Sequence, residues 1–362
     1  MKTRAERRAA LTRLVEAEGV TRVMPPLLLP AAPFFDLAGE EFGRRLLLTS
    51  ASDGIEYCIR PDFTLPIASS YLKDGHQGVP AAYSYMGPIF RQRATGPAEI
   101  EQAGLELLGQ PNGDQALDQV LTFARWSLAI YGVTAPVIKL GGVGLFEAFL
   151  DGADMPAAWR RRTRSRFGHP EAMERLIERL NSPPEMPEGQ APDGREAIIE
   201  IVTDAMLDGG MSPHAGRTPE EIAERYLEKI DLATARLPEA TVRLLRDYLS
   251  ISGPAQQAFD RIERLTAQHG IQLGPALATL RRHAAALAAL SPQAKVNFDA
   301  GFSPRLDYYT GIVFEISGAN GAILASGGEY DRLLTRLGAT ELVAASGCAI
   351  WVDRLEREAS LT

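Results

Sequence analysis

The chain of 362 residues contains only two cysteines, Cys58 and Cys348, far apart in sequence. Neither a disulfide framework nor a zinc-ligand spacing can be built from such a pair, so two buried thiols in a reducing compartment are expected. Histidine is scarce as well. His76, His169, His214, His269 and His283 show no HxxxH or comparable ligand spacing, which predicts no metal centre. No apolar run approaches the roughly 20 residues that a bilayer-spanning helix needs. The amino terminus, MKTRAERRAALTRLVEAEG, is charged and amphipathic and lacks the apolar core of a secretory signal. A cytoplasmic protein without membrane contact is therefore expected. Excess positive charge is also missing, since the formal net charge is −8. Nucleic-acid binders usually show a basic domain, because Lys and Arg make the phosphate contacts. The balance argues against a nucleic-acid partner.

What is present reads as an ordinary globular chain, 45% hydrophobic and 23% charged. Helical spacing predicts a helix from Thr3 to Glu18, and prolines in VTRVMPPLLLPAAPFFD favour extended segments after it. Short strands are expected over 45–50 and 55–59, joined by the turn residues SASDG. A second strand pair is expected over 82–90 and 101–108, joined by RQRATGPAE. Helices are expected over 62–72 and 114–131, with a short strand at 137–140. Strand signals then disappear over 151–290, which reads as a helical insertion within a single domain. They return in KVNFDAG, GIVFEIS and AILASGG, before a last helix starting near Ala349 or Trp351. There is no internal repeat. Strands in antiparallel pairs with segregated helices indicate an α+β fold, an antiparallel sheet flanked by helices.

Four stretches carry chemistry. In Arg60-Pro-Asp-Phe-Thr64 an acid and a hydroxyl can face one pocket, although a helix N-cap alone would account for both. Gln102, Gly104 and Glu106 alternate and share one strand face, either a solvated surface or a polar pocket floor. In LDYYTGIVFEI, Asp307, Tyr309 and Gly311 alternate with Tyr308 and Thr310, as on a strand. The Gly327-Gly328 pair before Glu329-Tyr330-Asp331 suggests a tight turn. Five arginines from Arg160 to Arg166 read as a solvated helix face.

The order and spacing of RPDFT, GPIFR with QAGLE, LDYYTGIVFE, GGEYD and SGCAIWVDRL resemble the catalytic domain of class II histidyl-tRNA synthetases. That family shows an RPEGT-type turn, GPxFRxE, QxGxE, RGLDYYTGxxFE, GGGRYDGL and GxAxGxERL. The resemblance runs from residue 60 to 355. It implies a class II aminoacyl-tRNA synthetase-like sheet, a dimer formed near Val23 to Pro30, and a histidine pocket. Asp62 and Thr64 match positions near the substrate amino group, with Asp in place of the usual Glu. Gln102 and Glu106 match the pocket floor, and Tyr309 and Tyr330 the imidazole side. Tyr308 matches the neighbouring position, and Arg91 the strand-end arginine.

The chain departs from this pattern where nucleotide is handled. Aminoacyl activation builds negative charge on phosphate and needs placed cations. Aligning on LDYY puts Pro304 where the synthetases have a phosphate-contacting arginine, with Arg305 one residue along. Arg93 replaces a supporting glutamate. The loop ATGPAEIE lacks basic and aromatic residues, and Trp351 stands at a glycine position, although Arg354 is kept. Only eight residues follow Arg354, so no anticodon-binding domain is expected. The combination resembles the regulatory subunits of ATP phosphoribosyltransferase, non-catalytic synthetase paralogues. That resemblance implies no cofactor and a short-form catalytic subunit as partner, in a hetero-octamer. It also implies a self-dimer, with histidine as feedback effector in histidine biosynthesis. Two alternatives remain open: a truncated histidyl-tRNA synthetase, or a synthetase-like amino-acid ligase that still activates its substrate with ATP.

Overall fold

The computed structural model describes residues 2–38, 40–50, 52, 54–181, 195–208, 218–234, 237–304 and 308–360. Arg305, Asp307 and His214 lie outside them. The strands are β1 (Thr21–Arg22), β2 (Leu28–Pro30), β3 (Leu48–Ser50), β4 (Glu56–Ile59), β5 (Ala81–Phe90), β6 (Glu99–Leu108), β7 (Val137–Gly142), β8 (Ser252–Pro254), β9 (Lys295–Asp299), β10 (Ile312–Ser317), β11 (Ile323–Glu329) and β12 (Ala345–Trp351). Two compact units emerge, one of residues 1–149 with 249–362 and the other of residues 150–248.

The first unit is built on a nine-stranded sheet in the order β1-β5-β6-β12-β11-β10-β7-β9-β8. Its pairings are antiparallel except β1 with β5 and β7 with β9. A small antiparallel sheet, β2-β4-β3, accompanies it. The expected pair at 82–90 and 101–108 is the longest ladder, ten residues in unbroken register. Alternation along β6 sends Leu105 and Leu107 to the face covered by the helix Gly113–Ile130, and Gln102 and Glu106 to the other. That helix begins where the Asn112 side chain accepts from the backbone N–H of Gln115, and it buries Leu117, Val120, Leu121 and Phe123. The helices Ala255–Gln268 and Ala276–Ala288 belong to this unit as well.

Four expectations are corrected. Residues 345–351 form β12, a central strand, and the last helix starts only at Val352. The Gly327-Gly328 pair lies inside β11, not in a turn; a Cβ on Gly327 would sit 2.3 Å from the Gly347 carbonyl oxygen, so glycine lets β12 approach. Tyr308 to Gly311 precede β10 rather than forming part of it, so the strand alternation assumed there does not apply. Among the described residues the 151–290 block also contains one short strand, β8, whose Gly-Pro content carries little strand signal.

The second unit is helical, with Ala157–Arg164, Pro170–Asn181, Arg195–Asp208 and Pro219–Thr234. Trp159, Met173, Leu176, Ile177 and Ile198 are buried in it. The last of these helices opens on a capping box. Thr218 N–H donates to Glu221, and Glu221 N–H donates back to the Thr218 hydroxyl. In the arginine run, Arg160 and Arg164 reach Asp151 at 3.6 and 3.3 Å. No helix among the described residues is long and apolar enough to cross a membrane.

Candidate amino-acid site

Glu106 stands near the middle of the candidate site, 2% exposed. Its Oε1 accepts from the Thr64 hydroxyl at 2.7 Å and from the Tyr85 hydroxyl at 3.4 Å. Its Oε2 accepts from the Tyr330 hydroxyl. Burial pushes the carboxyl up to about 7; the three hydroxyls oppose that rise and the charge of Asp62 adds to it. Each donor arrives from a different element: Thr64 opens the helix Thr64–Lys73, Tyr85 lies on β5, and Tyr330 follows β11.

Room for this carboxylate comes from glycine. In register, Gly347 of β12 is the partner of Glu106, Gly104 of β6 that of Tyr85, and Gly87 of β5 that of Gln102. A Cβ on Gly347 would lie 1.8 Å from Glu106 Oε2, and one on Gly104 would lie 2.2 Å from the Tyr85 hydroxyl. Tyr85 is further fixed by stacking on Phe63 at 4.2 Å, with the Arg60 guanidinium 4.3 Å from the Phe63 ring centre.

Gln102 is 2% exposed, and its Oε1 is buried without a hydrogen-bond partner among the described residues. An unpaired buried amide oxygen costs about 1–3 kcal/mol, and a donor-bearing ligand would relieve that cost. Asp62 is buried too, and burial raises its pKa against the opposing influence of Arg91 and of the Leu65 N–H it accepts at 3.2 Å. The N-cap reading of RPDFT thus describes one oxygen of Asp62 without excluding a site role. Arg91 donates Nε–H to the Pro61 carbonyl at 2.6 Å and lies 4.8 Å from the Phe42 ring centre. Burial lowers its pKa, while Asp62 and Tyr308 raise it.

The tyrosines form one aromatic cluster. Tyr308 lies 5.3 Å from Tyr309 and 5.9 Å from Tyr330, and Tyr309 lies 6.5 Å from Tyr330, ring centre to ring centre. All three are buried. Seven of the eight residues named from sequence are linked through Glu106, Asp62 and the tyrosine cluster, and Gln102 lies four residues from Glu106 on the same face of β6. Tyr85 and Gly347 escaped sequence reasoning. Tyr85 was legible only as part of the GPIFR strand, and a lone glycine gives no hint of the carboxylate it accommodates. Trp351 is the register partner of Gln102, so its indole stands on the same sheet face. Among the described residues, no group of three His, Cys, Asp or Glu side chains could hold a metal ion.

A family profile for histidyl-tRNA synthetase matches residues 1–186 and 212–355. A relative from Allorhizobium ampelinum is 38% identical over 94% of this chain and 94% of its own length. One from Mesorhizobium japonicum is 38% identical over 97% of each. Both are named ATP phosphoribosyltransferase regulatory subunit. Among solved structures, one from Bacillus halodurans, described as an ATP phosphoribosyltransferase regulatory subunit/histidyl-tRNA synthetase, aligns with a TM-score of 0.64. It is 21% identical and covers 98% of this chain and 78% of that one. A histidine–tRNA ligase subunit from Alicyclobacillus acidocaldarius aligns at 0.57, 24% identical over 99% and 93%. These two likenesses bear on the fold, which is that of the class II synthetases. With its buried polar pocket on that fold and its match to curated relatives over nearly its whole length, the chain belongs to the ATP phosphoribosyltransferase regulatory subunits, within the histidyl-tRNA synthetase family.

Proposed function

We propose that this chain is a non-catalytic cytoplasmic subunit through which histidine regulates a separate, short-form ATP phosphoribosyltransferase catalytic subunit, at the first step of L-histidine biosynthesis. The observation that carries the reading is the Glu106 constellation, a buried carboxylate held by Thr64, Tyr85 and Tyr330, with the unpartnered oxygen of Gln102 four residues along the same face of β6. Histidine suits it. An ammonium group needs the acid and amide oxygens of Asp62 and Gln102, and an imidazole needs a hydrogen-bond partner such as Glu106 between aromatic walls. Tyr308, Tyr309 and Tyr330 supply those walls.

The non-catalytic part of the reading is supported by Pro304, Arg93 and Trp351. Pro304 stands where phosphate activation would use an arginine, Arg93 replaces a glutamate that supports adenosine recognition, and Trp351 puts an indole on the pocket face in register with Gln102. Regulation by histidine then requires that it bind one state of the complex more tightly than the other. The assembly that fits is a self-dimer through residues 23–30, joined to the catalytic subunit in a hetero-octamer.

Calorimetric titration of the protein with histidine should give saturable heat. Unchanged heat at millimolar ligand would remove the pocket from the free subunit. In the assembled complex, Glu106→Ala and the shape-preserving Glu106→Gln should both abolish inhibition by histidine and leave assembly intact. Inhibition that survives both would place the effect of histidine elsewhere. Exchange of pyrophosphate with ATP in the presence of histidine should be absent, and measurable exchange would favour a truncated synthetase.

A further inference from the structure

The residues that end β11 divide their contacts between the two faces of the main sheet. Tyr330 donates to Glu106 on the pocket face. Glu329, half-buried, is the register partner of Ser346, which in turn is the partner of Leu107, on the face covered by the helix Gly113–Ile130. Its Oε1 lies 3.8 Å from where a Cβ on Gly113 would stand, at the positive end of that helix.

From this side Glu329 holds the stretch that carries the tyrosine wall. Its backbone carbonyl accepts the Thr310 N–H at 2.8 Å, and its Oε2 accepts the Ile312 N–H at 3.0 Å. The Asp331 N–H donates to the Thr310 hydroxyl at 3.2 Å. These bonds bracket Gly311, and the fit there is tight: a Cβ on Gly311 would lie 1.9 Å from Glu329 Oε2. The Gly311 backbone does not adopt a positive φ, so glycine is needed there to admit the carboxylate and not to make a turn. The wall itself touches the same strand, since a Cβ on Gly328 would lie 3.1 Å from the Tyr309 ring. A carboxyl in this place is costly. Burial raises its pKa, and the Ile312 N–H is the largest influence opposing the rise. The GGGRYDGL pattern has arginine at this position, so the carboxylate is this chain's own feature.

We propose that Glu329 is a positioning residue for the amino-acid pocket. Through the Ile312 N–H, and the space left by Gly311, it fixes where Tyr308 and Tyr309 stand and so sets the affinity for the ligand. With histidine as that ligand, the proposal rests on the function proposed above.

Calorimetric titration with histidine and amide hydrogen exchange over residues 308–316, both on the full-length protein, test it. Glu329→Ala should weaken histidine binding about tenfold, the loss of one charge-assisted contact. It should also speed exchange of the Ile312 amide while the β5–β6 ladder keeps its protection. Glu329→Met, of similar length but without an oxygen acceptor, should behave like the alanine variant. Glu329→Gln, whose amide oxygen can still accept the Ile312 N–H, should restore affinity and protection. Gly311→Ala should reproduce Glu329→Ala by expelling the carboxylate, and the double variant should be no worse than either single one. Wild-type affinity and exchange in the alanine and methionine variants overturn the proposal, as do losses that add in the Gly311 pair. If the wild type gives no heat with histidine, the ligand assignment falls and exchange alone decides the role of Glu329: unchanged protection of Ile312 in both variants overturns it.

Discussion

Burial moves the carboxyl of Glu106 from its ordinary 4.5 to about 7, outweighing three hydroxyl donors that favour the charged form. The consequence for stability has a definite sign. Between about 4.5 and about 7 the folded protein holds a proton that the unfolded chain has released, so stability falls as pH rises through this window and levels off above it. The full effect is on the order of 3 kcal/mol. Glu106→Gln keeps the side-chain shape and removes the titration. Urea unfolding should therefore show the variant gaining on the wild type between about pH 5 and about pH 8. Asp62, also raised by burial, acts in the same direction, so the variant flattens the dependence without abolishing it. Parallel stability curves for the two proteins would mean that Glu106 stays charged.

The sharpest constraint on an element is the meeting of β12 with β6. A Cβ on Gly347 would fall 1.8 Å from Glu106 Oε2, and that oxygen is anchored by Tyr330. Gly347→Ala should cost about 2–4 kcal/mol, since overpacking here displaces a hydrogen-bonded carboxylate. Equilibrium unfolding in urea measures this, and a change below about 0.5 kcal/mol would show that the ladder yields freely. The same contact explains why β12 was illegible. Its residues, ASGCAIW, are mostly small and not β-branched, chosen to leave room for neighbours rather than for strand propensity. In β11 the Gly-Gly pair reads as a turn for the same reason. By contrast, β5 and β6 were legible because alternating apolar residues flank a Gly-Pro loop. The pocket residues came from motif order, not from any single motif. Tyr308 and Tyr309 were read as strand residues, which they are not. A strand would have sent them to opposite faces, whereas the irregular stretch before Ile312 brings both rings against Tyr330.

At the scale of the whole molecule, the open question is what covers the segment 23–30. Met24, Leu27 and Leu28 are 54, 52 and 51% exposed, and Leu48 and Ile55 near the same small sheet are 47% exposed. A cluster of exposed apolar residues marks an interaction surface more often than a solvent face. This surface is wired to the pocket. The buried Arg60 guanidinium donates to the Pro25 carbonyl and lies over Phe63, which stacks on Tyr85, whose hydroxyl reaches Glu106. If a second copy covers the segment, the contact is apolar. With each subunit at −8, it forms against electrostatic repulsion. Added salt should then leave the dimer intact or tighten it, because screening removes the repulsion and spares the apolar contact. Burying one leucine is worth about 1.5–3 kcal/mol. Leu27→Asp with Leu28→Asp, present on both protomers, should therefore shift sedimentation from dimer to monomer at micromolar protein. A dimer mass unchanged by the two substitutions would move the interface to another surface and leave the Arg60 stack as a purely internal support for the pocket floor.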